Sequence, residues 1–262
     1  MEPTANQYGR TDLLAKKTII GAIVASLLGV CAAVAEPVYK VGSTTTGNPF
    51  TFLDVSTNKV DGMMVDLMNA IAEDQGIEVD IQPVPFEALI PSLQSGKIDI
   101  MSAAVTITPV RAEIVDFTVP IFPYTDAVIV PKNDDTEYKS AADFAGKTIG
   151  VQGGTAFYDY LEKLGSFKEI KTYTSIADIM RDVELGRIAA GFADEPIMRH
   201  RLSGKDDAAI KLVETYEPFY VGQVAMAVKK GNAELLGKLN AGIEKIKASG
   251  KLEELQTKWG LR

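Results

Sequence analysis

The sequence predicts an α/β fold, and three observations carry that expectation. Short apolar runs with strand alternation, such as Ile77, Val79 and Ile81, trade places along the chain with runs of helical period, such as Met64, Leu67, Met68, Ile71 and Ala72. Several strand-like runs are followed by small and polar residues, as expected where the carboxyl ends of parallel strands hold a site. The passage from a helix end through Gly-Lys/Arg-Ile into a buried strand also occurs twice, at Gly96-Lys97-Ile98 and Gly186-Arg187-Ile188. The first copy delivers Thr106 and Arg111, the second Asp194. Two units of opposite charge suggest two lobes closing on a zwitterion.

In chain order, Val38–Ser43 reads as an opening strand and the following Thr-Thr-Thr-Gly-Asn-Pro-Phe run as a loop. Asn58–Gly62 reads as a turn, and the helix of Met64 to Ala72 is closed by Gly76. A strand through Ile81, a helix over Phe86–Gln94 and a buried strand from Ile98 complete a βαβαβ half. Thr108 before Pro109 is a helix start, a hydroxyl cap with proline at the first helical position.

The second half opens with a strand at Val128–Pro131. Ser140 with Asp143 forms a capping-box pattern. A strand at Thr148–Val151 ends in Gln152-Gly153-Gly154-Thr155, which opens a helix through about Leu164. Lys168–Tyr173 is a strand, and Ser175 caps a helix whose Ile176, Ile179, Met180 and Val183 face the core. Ile188–Ala193 is a strand that stops at Asp194-Glu195-Pro196. Strands at Lys211–Thr215 and Gln223–Lys229 and two amphipathic helices, ending near Trp259, follow.

The 262 residues suffice for one large domain or two lobes, and 46% hydrophobic content is that of a globular chain. A net charge of −8 argues against a general basic surface for nucleic acid or anionic membrane. Arg10, Lys16 and Lys17 precede the apolar stretch Thr18–Ala35, and Ala33-Val34-Ala35 offers a cleavage site after Ala35. Residues 1–35 therefore read as a secretory signal peptide; an uncleaved anchor is disfavoured by the short Gly/Ala-rich core. Leu28-Gly29-Val30-Cys31 fits a lipoprotein site poorly, because Val30 is bulky. Cleavage removes Cys31, the sole cysteine, and with it disulfide and thiol chemistry. The one histidine, His200, sits between Arg199 and Arg201 and reads as a solvated residue. Triad hydrolases and zinc enzymes are thereby disfavoured, and neither metal nor cofactor is expected.

Arg111, in the first turn of a helix that follows a strand, is the strongest site candidate: a fork-shaped cation beside the Thr106 hydroxyl can clamp a carboxylate. The competing reading is a surface arginine paired with Glu113 or Asp116. The loop carrying Gly154 and Thr155 lacks the Lys-Ser/Thr of a phosphate loop, so it reads as a second anion-contacting helix start or as a simple turn. Asp194 can pair with an ammonium or cap the helix that follows it, and Glu195 can do likewise or only favour the helix start. Phe86, after a Pro-x-Pro loop, can stack on a ligand side chain. Phe50, Phe52, Phe122 and Tyr124 lie near candidate cleft edges, where core packing suits them better; Phe50 is retained as a ligand-contact candidate.

The segments IPSLQSGKIDIMSAAVTITPVRAEIVDFTVP, GMMVDLMNAIAEDQG and KTIGVQGGTAFYDYL resemble the polar amino-acid group of periplasmic solute-binding proteins, family 3 of the ABC uptake systems. The resemblance runs from Val38 to Trp259. It implies a two-lobe type II periplasmic binding protein fold with two crossing hinge strands. Lobe 1 would be 38–124 plus 222–262, and lobe 2 would be 125–221. It implies a periplasmic, monomeric, non-enzymatic receptor that binds an amino acid and delivers it to ABC permease subunits with their ATPase. Arg111 and Thr106 match the family's α-carboxylate contacts, Thr155 adds to them, Asp194 matches the α-ammonium contact, and Phe86 matches the stacking aromatic.

Departures from the family pattern fall at the side-chain end. Gly47 stands where an aromatic is usual, Thr44 where binders of basic amino acids often carry an acid, and Ala103 and Ala104 where serine or glycine is common. An uncharged or bulkier amino acid or derivative is therefore expected. Two alternatives remain: an enzyme resembling the cyclohexadienyl dehydratases, with Glu195 as acid, although the Gly-Asp-Tyr loop is absent at Thr45-Thr46-Gly47; and a ligand sensor for a receptor kinase.

Overall fold

The computed structural model describes residues 37–205 and 207–261. The expected leader, its cleavage point after Ala35, and Cys31 lie outside the described residues. The elements are β1 (Val38–Ser43), β2 (Thr46–Gly47), β3 (Thr51–Asp54), β4 (Lys59–Asp61), α1 (Met63–Gln75), β5 (Glu78–Pro83), α2 (Leu89–Ser95), β6 (Ile100–Thr106), α3 (Pro109–Ile114), β7 (Val115–Phe117) and β8 (Phe122–Pro131). They continue with β9 (Thr148–Gln152), α4 (Ala156–Leu164), β10 (Glu169–Tyr173), α5 (Ile176–Glu184), β11 (Ala190–Asp194), α6 (Glu195–Leu202), β12 (Ile210–Leu212), β13 (Val221–Lys229), α7 (Ala233–Ala248) and α8 (Lys251–Lys258). Short 3₁₀ turns cover Phe86–Ala88 and Ala141–Phe144.

Two sets of parallel strands meet through two long antiparallel ones. β1 pairs in parallel with β5 and β6, and β9 pairs in parallel with β10 and β11. β8 and β13 pass between these sets. Residues 122–125 of β8 pair with residues 221–224 of β13; beyond them β8 runs against β11 and β12, while β13 runs against β6 and β7. The pairing makes these two strands the only ladder joining the sets among the described residues.

Local chemistry explains the helix ends. The Thr108 hydroxyl accepts a hydrogen bond from the Arg111 amide at 3.3 Å, with Pro109 at the first helical position. Ser140 and Asp143 form the reciprocal box, and Ser175 accepts from the Asp178 amide at 3.2 Å. Each such cap contributes about 1 kcal/mol. The apolar face of α1, with Met64, Leu67, Met68 and Ile71 fully buried, packs with Leu235, Leu239 and Ile243 of α7 in one core. A second core gathers Phe144, Phe157, Phe192 and Tyr138, with the Tyr138 and Phe144 rings stacked at 4.0 Å.

The structure differs from the sequence expectation in several places, among them the strand expected at Lys211–Thr215, which is the shorter β12. The Thr44–Phe50 loop and the Asn58–Gly62 turn contain β2 and β4, which flank β3 in a small antiparallel sheet; short polar strands give no apolar alternation to read. β8 begins at Phe122 rather than Val128, and β7 was not expected. Pro123 and Thr125 mask that early part of β8, which carries the crossing.

Candidate functional site

Arg111 is 8% exposed. Its Nη1 donates to the Thr106 carbonyl at 3.0 Å and to the Thr106 hydroxyl at 2.5 Å, and its Nη2 donates to the Gly154 carbonyl at 3.0 Å. The guanidinium thus ties the end of β6 to the loop before α4. Its carbon lies 5.9 Å from the centre of the Phe86 ring. Burial pulls its pKa below the usual value, opposed by the charges of Asp159, Tyr220 and Asp194. The surface-pair reading is not what the structure contains, because Asp116 is taken up by Lys230 at 2.8 Å and by the Gly231 amide at 2.7 Å.

β6 reaches this position by leaving its ladder. Its register against β13 shifts between the pairs Met101–Ala227 and Val105–Ala225, and Ala104 adopts φ +50°. A left-handed alanine costs roughly 1–2 kcal/mol, and such strain collects at ligand clamps. The displaced segment turns Ala103 and Ala104 into the wall of a small cavity.

Asp194 ends β11 and stands at the N-cap position of α6, yet its side chain makes no capping bond. Its carboxylate accepts a hydrogen bond from the buried Tyr124 hydroxyl on β8. Burial pushes the Asp194 pKa up to about 6; the Tyr124 bond and the Arg111 charge pull against this, and Asp126 adds to it. The neighbouring Glu195 turns away and pairs with Arg199 along α6. It borders a different groove, beside His200, Gly260 and Leu261. His200 is half-buried there rather than freely solvated, and burial with the Arg201 charge lowers its pKa.

The Asp194 cavity measures about 20 Å³ and is lined by Thr44, Gly47, Phe50, Phe86, Ala104 and Gln152, among others. A second of about 30 Å³ is bordered by Arg111, Gly154 and Phe86, among others. Phe86 therefore walls both. Each holds about one water, so an amino acid fits only when the two walls draw apart.

The remaining candidates are placed as follows. Phe50 is 1% exposed and packs edge-on against Phe122 and Tyr124, each at 5.5 Å, while it also lines the cavity. The Thr155 hydroxyl donates to the Gln152 carbonyl at 2.8 Å and accepts from the Tyr158 amide at 3.2 Å, so it is engaged in its own helix start. Gly154 has φ +73°, and a Cβ there would lie 3.2 Å from Glu87, so glycine permits both the turn and the close approach. The Thr44 hydroxyl shares a hydrogen bond with Thr51 at 2.6 Å. Gln152 and Ile176 were not anticipated as cavity residues, and Tyr124, expected near a cleft edge as a packing aromatic, lines the cavity as well. Gln152 is buried at the end of β9, a signal the sequence did contain.

The fold and this cavity define a two-sided solute-binding protein of the type II periplasmic class. The chain belongs to the bacterial extracellular solute-binding proteins, family 3, whose model matches residues 39–262. It is 31% identical over 247 residues to ABC transporter arginine-binding protein 1 of Escherichia coli K12, covering 93% of this chain and 98% of that one. Among solved structures, an ancestral arginine-binding protein bound to glutamine is similar at TM-score 0.78 and 34% identity, covering 85% of this chain and 97% of that chain. An ancestral amino-acid-binding protein described as a precursor of cyclohexadienyl dehydratase is similar at TM-score 0.75 and 29% identity, covering 85% and 95%.

Proposed function

We propose that this chain is the extracytoplasmic receptor of an amino-acid ABC uptake system, exported by its leader to the periplasm and cut after Ala35. The reading rests on Arg111 and Asp194, a cation and an anion within reach of each other's charge, bordering two small cavities that share Phe86 as a wall. In this reading Arg111 and Thr106 hold the α-carboxylate, with Gly154 and Thr155 contributing from the facing loop, and Asp194 holds the α-ammonium. Phe86, Phe50 and Ala104 surround the side chain. The ligand carboxylate takes over the guanidinium from the Gly154 carbonyl.

The proposed lobes are 38–124 plus 222–262 and 125–221. They part and close about the crossing of β8 and β13, in the manner of hinged domains around a ligand. Permease subunits and their ATPase are the partners of the loaded monomer. Reversible binding rather than turnover is the proposed activity. The engagement of Glu195 by Arg199 supports this against the dehydratase alternative, for which Glu195 was the candidate acid.

The test is thermal unfolding of the mature chain with each of the twenty amino acids. Ligand at a hundredfold excess over Kd stabilises by about 2.7 kcal/mol. Arg111→Ala and Asp194→Ala each strand a buried charge of the ligand, at a cost of about 3–5 kcal/mol, or roughly two to four decades of affinity. Undiminished affinity in Arg111→Ala would sink the assignment. Product formation from prephenate or arogenate would replace the receptor reading with the enzyme.

A further inference from the structure

Tyr220 stands just before β13 and borders neither small cavity, yet it is tied to both ends of the site. Its amide donates to the Asp126 carboxylate at 2.7 Å, and Asp126 stands opposite Asp194 in the ladder. Its hydroxyl donates to the Ile107 carbonyl at 3.1 Å, with the Gln223 carbonyl farther off at 3.4 Å. Ile107 links Thr106, which holds the Arg111 guanidinium, to Thr108, which caps α3. The Ile107 amide donates to the Gln223 carbonyl at 3.0 Å, so Tyr220 and β13 together fix this segment. Burial raises the Tyr220 pKa; the Gln223 bond and the Arg111 charge lower it, and the Asp194 charge adds to the rise. Both charges of the site therefore reach this hydroxyl.

The ring is held by contacts that do not involve its hydroxyl. It packs edge-on against Phe157 of α4 at 5.8 Å and touches both hydrophobic cores. It also lies across Gly222, where a Cβ would collide with the ring and its oxygen. Gly222 in turn stands opposite Tyr124, which holds Asp194. A fixed ring aims its hydroxyl, and a hydrogen bond from an aimed group orients what it holds. We propose that Tyr220 is a positioning residue for the carboxylate clamp, holding Thr106 and Arg111, through Ile107, where they meet an α-carboxylate. A bidentate guanidinium contact has a narrow geometry, whereas an uncharged α-carboxamide offers one oxygen and asks less of it. This inference rests on the amino-acid-receptor reading above. The competing role for the same bond is to hold the two proposed lobes together, since it runs from 125–221 to 38–124; that role would serve every ligand alike.

The experiment is calorimetric titration of the mature chain, freed of co-purified ligand by unfolding and refolding, with the twenty L-amino acids and the α-carboxamide of each that binds. Tyr220→Phe keeps the ring and removes the hydroxyl. It is expected to bind the free amino acid about tenfold more weakly, the scale of one lost hydrogen bond, and the α-carboxamide less than about twofold more weakly. Hydrogen exchange of the ligand-free variant is expected to speed up at residues 106–112 and not in the second core around Phe144 and Phe192. An equal loss for acid and amide assigns the bond to lobe closure and overturns the positioning role. So does an unchanged acid affinity in a variant with a native melting transition. Either result leaves the receptor reading intact; binding of none of the amino acids overturns both. Where an α-carboxamide binds too weakly to titrate, the exchange comparison decides, and unchanged exchange at 106–112 overturns the role. If Tyr220→Phe does not fold, Tyr220→Trp, which keeps an aromatic ring and displaces the donor, carries the same comparisons.

Discussion

Asp194 on β11 stands directly opposite Asp126 on β8 in the antiparallel ladder. Opposed residues of such a ladder share a face, so two carboxylates are held close together at the inner end of the site. Asp126 is fully buried and accepts hydrogen bonds from the Tyr216 hydroxyl at 2.6 Å and the Tyr220 amide at 2.7 Å. Asp194 is held by Tyr124. Burial raises both pKa values to about 6, despite these bonds. The aspartate proposed to receive an ammonium is thus kept near the edge of ionisation, with a second negative charge behind it that favours an incoming cation.

Ligand binding should depend on pH through Asp194. A proton on its carboxyl must leave before an ammonium can pair with it. Affinity for an amino acid is expected to be level above about pH 7 and to fall below about pH 6, approaching tenfold per pH unit. Titration calorimetry between pH 4.5 and about 8 reads this directly. A flat profile would remove Asp194 from the ammonium contact.

Asp126→Asn should change the pH dependence of stability in a defined direction. A carboxyl with a raised folded-state pKa contributes stability below its unfolded pKa, here 3.8, and loses it as pH rises to about 6. Asparagine has no such loss; its oxygen can accept from the Tyr220 amide, while its amide nitrogen donates to the Tyr216 hydroxyl oxygen. The variant should therefore gain on the wild type between about pH 4 and 7, by on the order of 3 kcal/mol at most. Parallel urea denaturation series at several pH values test it; a difference that shrinks as pH rises contradicts the assignment.

Gly62→Ala should be strongly destabilising. Gly62 sits at φ +131° before α1, where a Cβ would lie 2.3 Å from the Phe50 carbonyl oxygen. Backbone strain of this kind costs of order 1–3 kcal/mol before the clash is added. Since Phe50 lines the cavity, the loss in urea midpoint should come with weakened binding.

Ala104→Gly and Ala103→Gly form a matched pair. Both alanines line the cavity, and only Ala104 has positive φ. Glycine releases the left-handed strain at Ala104 and only adds chain entropy at Ala103. The first variant should be the more stable of the two by about 1 kcal/mol or more. Equal denaturation midpoints would mean that the β6 turn at Ala104 relaxes at no cost.

Much of the local structure was legible because short-range chemistry determines it. Thr108-Pro109, Ser140 with Asp143, and Ser175 each carry their own cap, and the α1 and α7 faces carry their own period. Arg111 and Asp194 were legible as candidates for a related reason: each stands where a buried strand gives way to a helix, a place where charge is seldom left without a partner. Asp126 was not legible as a site group, and Tyr124 only as a packing aromatic near a cleft edge. They sit in the early part of β8, where Pro123 and polar neighbours break the strand pattern, and their importance comes from pairing with a strand far along the chain.

By itself, the sequence determined the alternation of strands and helices, the helix boundaries, and the two charged strand ends, because these depend on neighbours a few residues apart. Only the tertiary structure decided that Phe86 borders both the Asp194 cavity and the Arg111 cavity, and that Asp126 stands opposite Asp194. Those relations arise from β8 and β13 crossing between two sheets. Burial there changes what each charge costs, and no local pattern encodes which groups will share that buried space.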